Sequence, residues 1–265
     1  MRLDLVPSPY MRPWEEIKAF HLAADEIDLF HSVWSADHFM PAQVNPGATA
    51  PVLLDGPAYE AWTLTAILAA HTRRIRLGPL VTCVGFRHPA LLARIVALCD
   101  IESEGRINLA LGGGWSSEEA ARFGLPFGGH ATRMARLEET AEVVTSLFAE
   151  DTVTFSGASV SLENARLDPK PIQKPGPPIL IGGTNERVIP IVARYADIWD
   201  VPFATRERLD EHREKLTNRC ESVGRDPSDI AVSTVIYYRP GGEDLKRSPK
   251  GCPSIATWWT SGSSA

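Results

Sequence analysis

The glycines Gly112, Gly113 and Gly114 have the spacing in this chain that best suits ligand binding. They lie in the segment INLALGGGWSSEE, where an apolar run of strand character meets the glycines and Ser116 then signals a helix start, with Glu119 three residues later. Because glycine has no Cβ, backbone N–H groups can approach a ligand closely there. The helix that follows would point its positive dipole end at the same loop, which favours an anion or the edge of a cofactor.

A second unit of the same design begins at Pro178. The apolar run ILI meets Gly182, Gly183 and Thr184, and a helical pattern ending in RYADIWD follows. Two strand–glycine–helix turns in one chain favour a cofactor-binding α/β protein. Neither cluster has the spacing of the dinucleotide fingerprint or a P-loop lysine. The alternative that the glycines only make tight turns therefore stays open.

The pair Asp37–His38 is a third candidate. It follows SVWS, residues 32–35, which predicts a buried strand that would deliver both side chains to its carboxyl end. Residues 41–57 are rich in Pro, Gly, Ala and Asn and predict a long loop. Long loops often carry function, so this segment is expected to shape a binding site.

Composition and charge narrow the function classes. The chain has 265 residues, 44% of them hydrophobic, which is enough for one large α/β domain. A net charge of −6 with only short basic clusters argues against a nucleic-acid groove or an anionic membrane surface. No apolar run reaches the roughly 18 residues of a membrane span, and the first residues predict a strand, so we expect a soluble cytoplasmic protein.

The cysteines and histidines predict neither a disulfide framework nor a metal site. Cys83, Cys99, Cys220 and Cys252 are far apart and form no C-x-x-C pair. The seven histidines include no H-E-x-x-H motif. We therefore expect reduced thiols and assign no metal.

Apolar periodicity predicts strands and helices in alternation. Strands are expected at 3–6, 32–35, 74–82, 107–111, 179–181, 197–201 and 230–238, with a small hairpin at 152–162. Helices are expected at 14–29, 59–71, 89–100, 132–148, 188–195 and 206–223. This order implies parallel pairing, and eight such units close a barrel of about 250 residues. The predicted fold class is thus α/β, a (β/α)8 TIM barrel; an open doubly wound sheet is the alternative.

Residues 239–265 break this pattern. After a domain at 1–238, a full barrel still needs a helix, an eighth strand and a closing helix, or about 40 residues by the usual lengths. The tail is shorter than that and rich in Pro, Gly and Ser. We therefore expect an irregular, non-native or disordered tail and a barrel that lacks its last strand and helix. The first and seventh strands would then present unpaired edges.

Four ordered motifs resemble the luciferase-like monooxygenase family, and within it the oxidoreductases that use the deazaflavin F420. The motifs are SVWSADHF, EAWTLTAILAAHTRRIRLGPLVT, FRHPALLARIVALCDIESEGRINLALGGGW, and PPILIGG with ARYADIWD. The resemblance covers about residues 1–238. It implies a TIM barrel with insertions that binds a flavin or deazaflavin at the carboxyl ends of the strands.

The resemblance implies a role for the Asp37–His38 pair. It matches the family's Asp-His pair, whose histidine lies beside the reactive ring and serves in some F420 dehydrogenases as the acid or base. A neutral imidazole is suited to moving the proton that accompanies hydride transfer. The alternative is that Asp37 caps a turn while His38 fills the barrel mouth.

Val81, Thr82 and Cys83 match the end of the third strand, where F420-using relatives carry a non-proline cis peptide that backs the deazaflavin ring. The alternative is that Thr82 and Cys83 simply end a strand. Glu60 and Arg133 also occupy familiar positions, and both are interpreted as helix-capping or ion-pairing residues.

The two glycine loops match the loops that hold the cofactor in the family. Trp115, which follows the first loop, would flank the ring or substrate, or would only pack. Gly182, Gly183 and Thr184 match the phosphate-binding position. There the N–H groups of Gly183 and Thr184, with the threonine hydroxyl, would bind the F420 phosphodiester at a helix N-terminus. F420 carries a phosphate and a glutamate tail, and Arg87 or Arg133 near the mouth is a candidate to assist in binding them.

The activity implied is F420-dependent hydride transfer to or from a small organic substrate, with His38 handling the proton. The first alternative is a monooxygenase that takes reduced FMN from a separate reductase, and the second is a truncated, inactive cofactor-binding remnant. Ala42 and Trp115 occupy positions that differ in the relatives oxidising glucose 6-phosphate, which argues against that substrate. A homodimer and a flavin or F420 reductase are the partners implied.

Overall fold

The structure is a computed structural model that describes residues 2–43, 52–238 and 254–260. The strands are β1 (Arg2–Val6), β2 (Phe30–Ser35), β3 (Ala42–Gln43), β4 (Val52–Leu53), β5 (Arg76–Pro79), β6 (Thr82–Cys83), β7 (Leu109–Gly112), β8 (Val153–Ser156), β9 (Ser161–Ala165), β10 (Ile179–Gly182), β11 (Ile198–Asp200), β12 (Ala231–Tyr238) and β13 (Ser254–Thr260). The helices are α1 (Trp14–Asp25), α2 (Ala61–His71), α3 (Pro89–Glu102), α4 (Ser117–Arg122), α5 (His130–Ala149), α6 (Ile189–Tyr195) and α7 (Arg206–Val223), with a 3-10 turn at Pro227–Asp229.

Nine strands form one sheet that closes into a barrel. Their order is β5-β2-β1-β13-β12-β11-β10-β7-β6. The ends of this sheet meet where Leu77 of β5 bridges Ile107, just before β7. The N–H of Asn108 donates to the carbonyl of Leu77 at 2.9 Å. Because β5 and β6 are two halves of one position around the barrel, here called a stave, the barrel has eight staves, and the predicted TIM-barrel architecture is confirmed.

The eighth stave corrects the expectation for the tail. β13 pairs antiparallel with β1, where Leu5 faces Ala256, and antiparallel with β12, where Val235 faces Thr257. The expectation that the first and seventh strands would present unpaired edges is therefore wrong. The predicted irregular tail contains this strand, while the rest of 239–265 lies outside the described residues. Within the described ranges there is no parallel eighth strand and no closing helix.

Two apolar clusters hold the barrel together. A small inner cluster inside the barrel consists of Val6, Trp34, Ala110, Leu180 and Ile198, one residue from each of five staves. A larger cluster joins the helices to the outer face of the sheet, with Leu68, Val96, Val144 and Val192 all at most 1% exposed. Because the strands and helices are packed in these two clusters, the loops at the strand ends are the part of the fold that can form a binding site.

Two element boundaries differ from prediction for local reasons. The first helix ends at Asp25 rather than near residue 29, because the guanidinium of Arg74 donates to the carbonyls of Ala24 and Ile27 at 2.9 and 2.8 Å. The predicted strand at 74–82 is interrupted by a cis peptide bond between Leu80 and Val81. The predicted hairpin at 152–162 is present as β8 and β9. Of the predicted loop at 41–57, residues 44–51 lie outside the described residues.

Candidate active site

A cavity of about 520 Å³ opens at the carboxyl ends of the staves. Its size falls within the range of small-molecule and cofactor sites. The sequence-predicted residues that line it are Asp37, His38, Val81, Cys83, Gly112, Gly113, Gly114, Trp115, Gly182, Gly183 and Thr184. Thr82 does not line it: this residue is fully buried and its hydroxyl accepts a hydrogen bond from the indole N–H of Trp62 at 3.2 Å. Its position agrees with the alternative that it only ends a strand.

His38 is held at both ring nitrogens. Its Nδ1 lies 2.8 Å from Oε2 of Glu119, and the indole N–H of Trp115 donates to its Nε2 at 3.2 Å. Since a carboxylate only accepts and an indole N–H only donates, these partners assign the tautomer with the proton on Nδ1. The lone pair on Nε2 is therefore the proton-accepting position of the ring.

Glu119 is the functional residue that sequence reasoning missed. Its side chain is almost fully buried, and its second oxygen, Oε1, accepts from the backbone N–H groups of Phe39 and Met40 at 2.7 and 3.1 Å. The predicted helix-start signal exists, since the Ser116 hydroxyl accepts from the Glu119 N–H at 3.0 Å. The glutamate side chain leaves the helix end, however, and anchors the His38 loop. Glu119 thus positions His38 and can balance positive charge on its ring.

Asp37 forms a buried ion pair with Arg87. The guanidinium donates to the two carboxylate oxygens at 2.7 and 2.9 Å, and the N–H of Cys83 donates to Oδ2 at 2.9 Å. Arg87 also pairs with Glu60, whose carboxylate caps α2 by accepting from the N–H of Thr63. These contacts fit a positioning role for Asp37, and its assignment as a catalytic residue stays a prediction. Glu60 both caps a helix and pairs with a charge, as interpreted from the sequence.

The side chain of Val81 fills the space that a Cβ would need at two of the predicted glycines. A Cβ added at Gly112 would lie 2.3 Å from Cγ2 of Val81, and one at Gly182 would lie 3.1 Å from its Cγ1. These glycines therefore make room for the side chain that follows the cis peptide, rather than for a ligand directly. The predicted non-proline cis bond is present, and it joins Leu80 to Val81.

The second glycine loop differs from its predicted form. The N–H of Gly183 donates to the carbonyl of Asp200 at 3.0 Å, so it is not available to a phosphate. Helix α6 begins only at Ile189, five residues beyond Thr184, which corrects the prediction of a helix N-terminus at this loop. Thr184 does line the cavity, and within the described part of the chain its N–H and hydroxyl have no hydrogen-bond partner.

Burial raises the pKa of three groups that line the cavity. It raises the pKa of Cys83 to about 12, so this thiol stays neutral and unreactive. Burial likewise raises the pKa of Asp200 to about 7, against the hydrogen bond from Ser233 that lowers it. Tyr10 has its pKa raised by burial and by the charges of Asp37 and Glu119. Its hydroxyl has no partner among the residues described and can donate to a ligand.

Basic side chains line the cavity along the start of α5. His130, Arg133 and Arg136 are spaced three residues apart and contribute to the same wall. The Arg133 guanidinium lies 4.2 Å from the ring centroid of Phe127, while its Nε is buried without a partner in the described residues. The guanidinium groups of Arg133 and Arg136 suit an anionic ligand group. Arg133, interpreted from the sequence as structural, thus belongs to the cavity wall.

The described ranges contain neither a candidate membrane-spanning helix nor a candidate metal cluster. Within 2–43, 52–238 and 254–260, no helix is long and apolar enough to cross a membrane. Over the same ranges, no three His, Cys, Asp or Glu side chains gather in a way that would hold a metal ion.

The fold and cavity define a TIM-barrel protein with a ligand site at the carboxyl ends of its strands. The sequence profile of the luciferase-like monooxygenase family matches residues 4–244, and the chain belongs to that family.

Several relatives carry names that refer to F420. An F420-dependent glucose-6-phosphate dehydrogenase of Amycolatopsis mediterranei is 32% identical over 182 residues, or 68% of this chain and 50% of that protein. An F420-dependent hydroxymycolic acid dehydrogenase of Mycobacterium tuberculosis is 28% identical over 226 residues, 84% of this chain and 59% of that protein. The chain therefore spans between half and three-fifths of the length of these relatives.

A solved structure supports the fold. An F420-dependent secondary alcohol dehydrogenase in complex with an F420-acetone adduct superposes with a TM-score of 0.73 at 22% identity. The match covers 88% of this chain and 68% of that chain. Likeness at this level of identity supports the TIM-barrel architecture.

Proposed function

We propose that this protein is an oxidoreductase that uses F420 to transfer hydride to or from a small organic substrate, with His38 as the proton donor and acceptor. One observation carries the proposal: a cavity-lining imidazole whose Nδ1 is anchored by a buried carboxylate, Glu119, at 2.8 Å. A histidine fixed in this way presents Nε2 as the acid–base atom. The names of the relatives favour F420 as the redox partner.

The residues present fit this cofactor. The cavity of about 520 Å³ admits a planar heterocycle, and Val81 and the glycines beside it form one wall. F420 also carries a phosphate and an acidic tail. The orphaned Nε of Arg133 and the free N–H and hydroxyl of Thr184 supply donors for such groups. When bound, F420 accepts or donates the hydride.

His38 moves the accompanying proton in this proposal. The lone pair of Nε2 takes a proton from a substrate hydroxyl in one direction, and the charged ring returns it to a carbonyl oxygen in the other. The indole N–H of Trp115 donates to Nε2 of His38 at 3.2 Å. Because the Trp115 side chain is half exposed, it can move aside, and the substrate then takes its place at Nε2. Glu119 keeps the other nitrogen protonated and offsets the positive charge that develops on the ring.

The test combines cofactor binding with turnover. F420 fluorescence is titrated with the protein, FMN is offered as competitor, and F420 is then screened against alcohols, aldehydes and enones. We expect F420 to bind in preference to FMN and His38→Ala to lower turnover by roughly 100-fold with nearly unchanged F420 affinity. His71→Ala, at an exposed position on α2, is the matched control and should keep full turnover.

Three results would overturn the proposal. Tight binding of FMN without F420 would favour the reduced-FMN monooxygenase. Binding of F420 without turnover of any compound would favour an inactive cofactor-binding remnant. Full turnover in His38→Ala would remove this residue from the mechanism. The homodimer and the reductase partner stay predictions, as does the cytoplasmic location inferred from the apolar pattern of the sequence.

A further inference from the structure

Asp200 is a buried carboxyl group in the cavity to which the reaction above assigns no role. It is the last residue of β11, lines the cavity and is 4% exposed. The hydroxyl of Ser233 donates to its Oδ1 at 2.9 Å. In the part of the chain that the structure describes, its other oxygen has no hydrogen-bond partner.

The neighbours of Asp200 leave this carboxyl group accessible to a ligand. Gly182 of β10 and Ser233 of β12 are in register with it on its two sides. Neither carries a charge, and both are small, so no larger side chain from these two strands covers the carboxyl group. A purely structural buried carboxylate would be expected to have both oxygens bonded, because an unpaired buried charge is costly.

Asp200 and His38 lie across the barrel from each other. His38 follows β2 and Asp200 ends β11. The staves between them are β1, β13 and β12 in one direction, and β5 with β6, β7 and β10 in the other. A ligand that reaches His38 from within the cavity therefore has Asp200 on the opposite wall.

We infer that Asp200 is a substrate-binding residue whose carboxyl group hydrogen-bonds an uncharged hydroxyl or carbonyl group on the wall opposite His38 and disfavours anionic groups there. This inference rests on the proposed function, because it names the substrate class of the same cavity. The position of Asp200 opposite His38, the proposed proton-transfer residue, favours substrate over cofactor. Gly182, which is in register with Asp200, also lies beside Val81, so the F420-affinity measurement below separates the two ligands.

The protonation of Asp200 supports this substrate class. Burial raises its pKa to about 7, so near neutral pH the group exists in both forms. The neutral acid donates to a carbonyl oxygen, whereas the carboxylate accepts from a hydroxyl. One side chain can therefore bind both members of an alcohol and ketone pair, while a ligand carboxylate or phosphate beside it meets either repulsion or desolvation.

The test measures binding of cyclohexanone at pH 6, where Asp200 is mostly neutral, and of cyclohexanecarboxylate at pH 8, where it is mostly charged, to the F420-loaded protein from the change in F420 fluorescence. Asp200→Asn keeps a neutral donor of the same shape, so cyclohexanone affinity should stay within roughly threefold of wild type. Asp200→Leu should weaken it by about 10-fold or more. Cyclohexanecarboxylate should bind Asp200→Asn about 10-fold more tightly than wild type, because the carboxylate that repels it is gone.

Asp197→Asn is the matched control, since it removes one carboxylate charge from an exposed position on the amino side of the same strand, and the amide oxygen can still accept the hydrogen bond from the N–H of Ile179. It should leave both affinities unchanged. Wild-type affinity for cyclohexanone in Asp200→Leu would overturn the inference, as would absence of cyclohexanone binding in a wild-type protein that binds F420. A loss of F420 affinity in Asp200→Leu would also overturn it, by assigning the carboxyl group to the cofactor.

Failure of the proposed function gives a different result. If the wild-type protein binds no F420, the same titrations are followed by intrinsic tryptophan fluorescence without cofactor. Weaker cyclohexanone binding in Asp200→Leu than in wild type would then support the inference alone, and equal binding would overturn it.

Discussion

Replacing Asp200 with asparagine is expected to stabilise the folded protein, and to do so increasingly as the pH rises. The folded-state pKa of about 7 lies above the ordinary value of 3.8, because burial disfavours the charged form. Unfolding therefore releases a proton between about pH 4 and pH 7, and wild-type stability falls across that window. Asparagine has no such charge to bury and can still accept the hydrogen bond from Ser233.

The size of the effect follows from these two values. The gap between 3.8 and about 7 corresponds to about 4 kcal/mol of folding free energy, reached near pH 7 and level above it. At pH 5 the same relation gives only about 1.5 kcal/mol, since Asp200 is then neutral in the folded state and the unfolded chain is only slightly above its own midpoint.

Urea unfolding followed by tryptophan fluorescence at pH 5 and pH 8 measures both differences. Groups other than Asp200 titrate in both proteins and cancel when wild type is subtracted from Asp200→Asn. The control Asp197→Asn reports the effect of removing one negative charge from the chain. A stability difference for Asp200→Asn that is equal at the two pH values, or negative at pH 8, would refute the burial argument.

Three further substitutions test the site. Glu119→Gln should lower turnover by about 10-fold without changing F420 affinity, because the amide no longer fixes the tautomer of His38 or balances its charge. Steady-state kinetics measure the turnover and an F420 titration measures the affinity. Unchanged turnover would contradict the positioning role. Gly112→Ala should lower the free energy of unfolding by about 1–3 kcal/mol in urea unfolding, because the added Cβ would meet Val81. Gly129→Ala, with open space around the added Cβ, should lower it by less than about 1 kcal/mol. Equal losses would count against the contact between position 112 and Val81. Arg87→Gln should cost about 3–5 kcal/mol by the same measurement, because it leaves a buried carboxylate unpaired, and a loss below 1 kcal/mol would contradict that account.

The alternation of strands and helices was predictable from apolar periodicity, and the exceptions have identifiable physical causes. Residues 3–6, with leucines on both sides of Asp4, and the apolar run 179–181 form β1 and β10 close to their predicted bounds. The predicted strand at 74–82 is divided between Pro79 and Thr82, and no residue pattern in this segment indicates the division. Residues 254–260 carry little periodicity, and their pairing is determined by the two strand edges between which they lie.

Within the site, prediction succeeded for residues with a recognisable local pattern and failed where the partner is distant. His38 and both glycine loops line one cavity, as expected. Glu119 already had a local explanation as part of a helix-start signal, so its contact with a residue 81 positions away was invisible. Asp200 ends the motif ADIWD, and its protonation depends on burial within the barrel, which only the folded chain creates.

The packing of Val81 between Gly112 and Gly182 also restricts which substitutions this sequence can accept as it evolves. Positions 81, 112 and 182 share one small volume, so an enlarged residue at either glycine position requires a reduced one at position 81. Descendant sequences should therefore change these three positions together. Directed evolution that enlarges position 112 or 182 singly would sample mostly destabilised variants, whereas a library built on all three positions at once would reach new shapes for this wall.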